Sequence, residues 1–195
     1  MMKKTNSRDK IIEVGAQIIH RKGYNHTGIQ EVLTAAGVPK GSFYFYFKNK
    51  EDFGLQIIDY FTEFYSQQAN LVFDDQSVPP LERIKRFLEG FIKIFESIDF
   101  TCGCLIGNLA QEMGDLSPAF RIKLKESVDI MTDFYARALK EARQRDDISA
   151  RLDIAETADF ILTSWQGALV RMKIEQSARP LKNHIKFIFE FILES

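Results

Sequence analysis

Apolar residues recur at the three- and four-residue spacing of a helix along almost the whole chain, with five prolines among 195 residues to interrupt them. That periodicity predicts an all-α protein of about nine helices. Ile11, Ile12, Gly15, Ala16, Ile18 and Ile19 form one face of a first helix that Gly23 ends. Thr27 starts a second, where Thr27 and Gln30 have the spacing of a reciprocal capping box, and Gly37 stops it. Asn49 caps a long helix with Glu51 and Asp52 in its first turn, favourable for the helix dipole. After a polar break at 74–80, apolar stripes mark further helices from Leu81, from Leu105, from Ser117 with Pro118 at its first position, from Asp153 and from Pro180.

One segment resists the pattern. Phe43-Tyr44-Phe45-Tyr46-Phe47 alternates aromatics as a strand would. A solitary strand among helices would leave its backbone groups unpaired, so a short helix is expected, with Phe43 and Phe47 packed inward. Residues 27–53 then read as a capped helix, a glycine turn and a second short helix bearing lysine, serine and tyrosines, the layout of a helix-turn-helix DNA reader.

Charge supports that reading. Residues 1–50 carry nine Lys/Arg against three Asp/Glu, a net of +6. Residues 51–195 carry 17 basic and 24 acidic side chains, a net of −7. A basic head on an acidic body is the footprint of a phosphate-binding module joined to something else. No apolar run approaches the ~18–20 residues of a membrane span, and the basic N-terminus lacks the apolar stretch of a secretory signal. Two cysteines, Cys102 and Cys104, make no disulfide framework. A cytoplasmic protein with no membrane partner is expected.

At residues 27–53 the chain resembles the TetR/AcrR family of bacterial one-component regulators. Ala36-Gly37-Val38, Lys40-Gly41-Ser42, Tyr44-x-Tyr46-Phe47 and Lys50-Glu51 all fall at the family's spacings, over roughly residues 7–55. The resemblance implies an N-terminal three-helix DNA-binding domain at 1–50 and a helical ligand-sensing and dimerisation domain at 51–195, with no cofactor and no metal. The expected output is a homodimeric repressor of a double-stranded operator, released by a small effector. Lys40 suits a guanine edge or phosphate, Gly41 close approach, Ser42 the groove floor and Tyr44 a thymine methyl. Tyr46 and Lys50 are placed for phosphates, Lys50 near a helix N-terminus. By resemblance Thr27 joins the phosphate-contacting set. Two positions depart from the family pattern: Pro39 stands where serine is common, and Phe45 where tyrosine is frequent, each removing a hydroxyl.

The acidic body is rich in aromatics. Phe134, Tyr135, Phe160 and Trp165, with Cys104, are candidates to line a pocket for a hydrophobic or aromatic effector. The face of Ala158, Ile161, Leu162, Trp165 and Leu169, with the apolar run 187–193, suits an intersubunit four-helix bundle. Cys104, near a helix N-terminus, suits a thiolate that meets oxidants or electrophiles. A thiol-dependent redox enzyme using Cys104 is the alternative, but the chain lacks a C-x-x-C motif and a cofactor-binding glycine loop, so an enzyme is not expected. A helical protein-docking module would leave the +6 head unexplained.

Overall fold

The computed structural model describes residues 6–193, and every regular element among them is helical. In chain order these are α1 (Ser7–Lys22), α2 (Ile29–Ala36), α3 (Phe43–Tyr46) behind a 3-10 turn (Lys40–Ser42), α4 (Lys50–Phe73) and α5 (Pro80–Ser97). There follow α6 (Leu105–Met113), α7 (Pro118–Gln144), α8 (Ile154–Glu175) and α9 (Arg179–Phe187), which runs on as a π-type stretch (Ile188–Leu193). The all-α expectation holds, and the aromatic run is helical rather than extended. Contacts gather these elements into two compact units. One holds the chain up to Phe64 together with Leu105–Ser127, and the other holds Tyr65–Cys104 together with the chain from Val128 onward. Helices α4 and α7 each supply residues to both.

In the first unit α1 is capped by Asn6, whose side chain accepts from the Arg8 N–H at 2.8 Å. Ile11, Ile12, Ala16 and Ile19 are buried, and Gly15 lies so close under the Phe53 ring that a Cβ would collide with it. Helix α2 buries Val32, Leu33 and Ala36 and ends at Gly37 in the left-handed conformation (φ 63°), from which Val38 N–H reaches the Leu33 carbonyl at 3.0 Å. The expected Thr27–Gln30 capping box does not form. Gly28 is the N-cap, and the Thr27 hydroxyl donates backwards to the Gly23 carbonyl at 2.7 Å. The Asn49 cap does form, and Asp52 reaches back one residue further. Asp52 N–H donates to Asn49 Oδ1 at 2.8 Å, while Asp52 Oδ2 accepts from Lys48 N–H at 2.9 Å. Ser117 caps α7 through the Phe120 N–H at 3.2 Å.

In the second unit one buried cation organises three elements. Arg83 of α5 is fully buried; its guanidinium donates to the carbonyls of Val78 (2.7 Å) and Phe73 (3.1 Å) and forks onto Glu141 of α7 at 2.8 and 2.6 Å. Both carbonyls lie beside the polar break between α4 and α5, so a single side chain satisfies backbone that no helix can. In the same unit Tyr65, Phe73, Phe87, Phe91, Phe134 and Tyr135 form an interlocked set of rings with centroids 5.0–6.3 Å apart. Helices α8 and α9 close the unit. His184 of α9 meets Ser164 of α8 at 2.9 Å and the edge of Trp165 at 5.3 Å between centroids. Burial pushes the His184 imidazole down to about 4, only partly offset by the Ile161 carbonyl.

Arg83→Ala strands the Glu141 carboxylate and two carbonyls and is expected to cost about 3–5 kcal/mol in urea unfolding, with Arg83→Lys losing less. His184 has a lower pKa folded (about 4) than unfolded (about 6.5), so below the unfolded value only the unfolded chain takes up the proton. Stability should therefore fall as pH drops from about 6.5 to about 4, by roughly 3 kcal/mol at most, and His184→Gln should flatten that slope.

Candidate nucleic-acid interface

The first unit presents the basic, tyrosine-bearing segment on a small aromatic core. Phe43 and Phe47 are buried, and with Phe53 of α4 they form a triad with centroids 5.0, 5.5 and 5.0 Å apart. A helix of four residues has too few hydrogen bonds to hold itself, so this triad holds α3 in place. The residues between the anchors are thereby turned outward: Tyr44 is 69% and Phe45 82% exposed. Lys40 and Gly41, in the preceding 3-10 turn, are exposed, and Ser42 is half-buried. A Cβ on Gly41 would meet nothing within 4 Å, so the fold itself does not require glycine there.

The other sequence-derived candidates stand differently. Tyr46 is half-buried, with its ring edge-on to Phe45 at 4.9 Å. Lys50 lies over the Tyr24 ring, Nζ 4.5 Å from the centroid, and burial lowers its pKa while Glu112 opposes that shift. Tyr24 itself is pushed up to about 12 by burial and by the Glu51 carboxylate. Thr27 is buried; its hydroxyl is held by Gly23 and its N–H by the Tyr24 carbonyl at 3.2 Å. The surface is thus centred on Lys40, Gly41, Tyr44 and Phe45, flanked by Ser42, Tyr46 and Lys50, with Thr27 inside.

A support that the local sequence does not signal comes from α6. The Glu112 carboxylate accepts from the N–H groups of Tyr24 (3.2 Å) and Asn25 (3.0 Å), in the loop between α1 and α2. That loop leaves α1 through Gly23 at φ 88°, where a Cβ would come within 2.5 Å of Glu112 Oε1. At the start of α7, the Ser117 hydroxyl donates to Glu51 Oε1 at 2.6 Å. The loop and the first turn of α4 are each tied to a segment more than sixty residues away, a separation at which sequence periodicity carries no signal.

In the second unit the candidate effector residues divide. Phe134 and Tyr135 belong to the ring set, and the Tyr135 hydroxyl lies 3.3 Å from that of Tyr65. Burial raises the pKa of both phenols, and a charge on Cys104 acts on both in the same direction. Cys104 is half-buried, with its sulfur 4.0 Å from Gln166 Nε2. Trp165 instead packs on His184, and Phe160 is 46% exposed, so neither joins the rings around Tyr135. A hollow of about 110 Å³ lined by Gln68, Val72, Phe87 and Phe91, among others, shares two rings with that set. The corner leading into Cys104 is strained: Asp99, Phe100 and Cys102 take φ of 52°, 55° and 67°, which disfavours non-glycine residues. No group of three His, Cys, Asp or Glu side chains among the described residues is arranged to hold a metal. None of the described helices is long and apolar enough to cross a membrane.

A glycine-turned pair of short helices on a basic head, joined to a larger helical body, defines a helix-turn-helix transcriptional regulator. Residues 11–57 match the model of the bacterial regulatory proteins of the tetR family, and residues 80–188 match the tetracyclin repressor-like C-terminal domain. The chain belongs to the TetR family. The HTH-type transcriptional repressor DhaR of a Mycobacterium species is 35% identical over 194 residues, covering 100% of this chain and 96% of that protein. The transcriptional regulator AcuR of Cereibacter sphaeroides is 36% identical over 175 residues, covering 90% and 80%. The crystal structure of reduced Escherichia coli NemR superposes with a TM-score of 0.87 at 26% identity, covering 97% of this chain and 100% of that one.

Removing the Glu112 carboxylate tests the α6 support. Glu112→Ala should speed hydrogen exchange at the Tyr24 and Asn25 amides, the loss of two charge-assisted bonds being about 1–3 kcal/mol locally. Exchange along α8 and α9 should stay unchanged.

Proposed function

We propose that this TetR-family regulator acts as a homodimeric repressor whose release from a double-stranded operator is driven by a small apolar or aromatic effector bound in its C-terminal unit. The observation that carries the DNA-reading part is the outward face of the head. Lys40, Gly41 and Tyr44 are exposed and lie on a segment clamped by a buried aromatic triad, and a Cβ at Gly41 would meet nothing. Within that reading residues 1–50 are the reading head and residues 51–195 the sensing and dimerising body. Lys40 contacts a base edge or phosphate, Ser42 and Tyr44 reach the groove, and Tyr46 and Lys50 lie along the backbone. Thr27 serves the head indirectly, its buried hydroxyl positioning the α1–α2 loop through Gly23.

Dimerisation is favoured by exposed apolar side chains on the last helices. The α8 face expected to meet a partner, Ala158, Ile161, Leu162, Trp165 and Leu169, is instead buried within the chain itself. The exposed apolar residues are Phe160, Val170 and Ile174 on α8 with Phe187 and Phe191 beyond them, 46–72% exposed. Such a face is expensive to leave in water and suits a second copy of the chain, giving two heads for two successive major-groove faces. For the effector, the Tyr65–Tyr135 hydroxyl pair, set among phenylalanine rings, favours an apolar molecule with one polar group. DhaR and NemR are named repressors, which favours that output here. Effector and operator are thermodynamically linked, so the effector binds less well to the DNA-bound dimer.

Fluorescence anisotropy with duplex DNA from upstream of the gene, beside a scrambled duplex and across a salt series, tests this function. The expected result is two chains per site and a preference of about 10³ or more. Gly41→Ala adds a methyl to open space and should leave melting unchanged while weakening operator binding about tenfold or more. Lys40→Ala should also weaken binding, with the salt slope falling by about one if its partner is a phosphate. Equal, salt-sensitive binding to both duplexes, or a monomer in solution, would count against the proposal.

A further inference from the structure

Phe45 is the most exposed large apolar side chain among the described residues, at 82%. It lies midway between Phe43 and Phe47, both buried, so the anchoring that fixes α3 also holds Phe45 outward. Among the described residues its ring contacts are confined to an edge-on approach to Tyr46, with planes at 90°. It lies one turn beyond Gly41, where the backbone is open to close approach. A phenyl ring has no donor or acceptor, so in a groove it contributes only by covering hydrocarbon. The one apolar group that base edges present in the major groove is the C5-methyl of thymine.

We propose that Phe45 is a specificity-determining residue whose ring packs on a thymine C5-methyl in the major groove, selecting thymine at one position of each half-site. This assignment rests on the DNA-reading function proposed above. Tyr44, its neighbour, differs in kind: its ring already leans on Phe43 at 5.3 Å and it carries a hydroxyl, so its contribution does not depend on a methyl alone. Covering one methyl-sized carbon corresponds to about fourfold in affinity, hence roughly fifteenfold for two symmetric half-sites.

The test removes single methyl groups from the DNA. A duplex is selected from a random-sequence pool with the full-length protein, and each symmetric pair of thymines is replaced in turn by deoxyuridine. Anisotropy titrations then compare the unaltered chain with Phe45→Ala, Phe45→Leu and Tyr44→Ala. One thymine pair should lose on the order of tenfold with deoxyuridine. Phe45→Ala should bind the thymine duplex about that much more weakly and no longer distinguish the two bases there. Phe45→Leu should keep part of the discrimination, and Tyr44→Ala should keep it at that pair. Helix content and melting of Phe45→Ala should match the unaltered chain, because the ring is solvent-facing. Full discrimination in Phe45→Ala would overturn the assignment. So would an equal loss on thymine and deoxyuridine duplexes at every position, which would place the ring on sugar or between base steps. If the selection enriches no sequence at all, the DNA-reading function itself fails, before any variant is compared.

Discussion

The head depends on the burial of Phe43, Phe47 and Phe53. A four-residue helix cannot pay for its own nucleation, and α3 exists because the rings of Phe43 and of Phe47, just past its end, are driven onto Phe53 of the adjacent long helix. Burying residues four apart turns the intervening side chains outward. The exposure of Tyr44 and Phe45 is therefore a consequence of core packing rather than a separate feature. A close fit beneath it, with Gly15 under the Phe53 ring, leaves little freedom to retract α3 without disturbing α1.

Around that core, polar contacts of long sequence separation complete the unit. Glu112 holds the loop after α1, Ser117 holds Glu51, and the hydroxyls of Thr62 and Ser127 meet at 2.6 Å in a buried pair. Each links the N-terminal helices to residues 105–127, which is why that segment groups with them. The second unit has its own equivalent in Arg83, which binds a carboxylate, the last carbonyl of α4 and the loop carbonyl of Val78 at once. In both units an ionic side chain fixes a helix-free stretch whose backbone would otherwise be unsatisfied.

The candidate site was legible in proportion to how local its causes are. Gly37, Asn49 and Ser117 end or start helices through partners within a few residues, and each does so where the sequence places it. Thr27 shows the limit: Thr27 and Gln30 have capping-box spacing, yet the hydroxyl bonds backwards to Gly23 because Gly28 takes the N-cap position. Both arrangements satisfy one hydroxyl, and the choice belongs to the geometry of the turn. Trp165 and Phe160 sit on one periodic helix, but which ring meets Tyr135 and which meets His184 or solvent depends on neighbours brought in by other helices.

The sequence by itself determined the all-helical class, the helix boundaries set by local caps, the basic head and acidic body, and the family through the motif at 27–53. These follow from hydrophobic period, short-range hydrogen bonding and composition, which act over a few residues or none. Tertiary structure alone decided that residues 105–127 complete the head's unit, that Glu112 clamps Tyr24 and Asn25, that Arg83 meets Glu141, and that Tyr65 and Tyr135 share a hydroxyl contact. Those partners lie 58 to 88 residues apart in the polar contacts. Their pairing is set by how helices pack and by the cost of leaving a buried charge or carbonyl unpaired, and no local pattern encodes either.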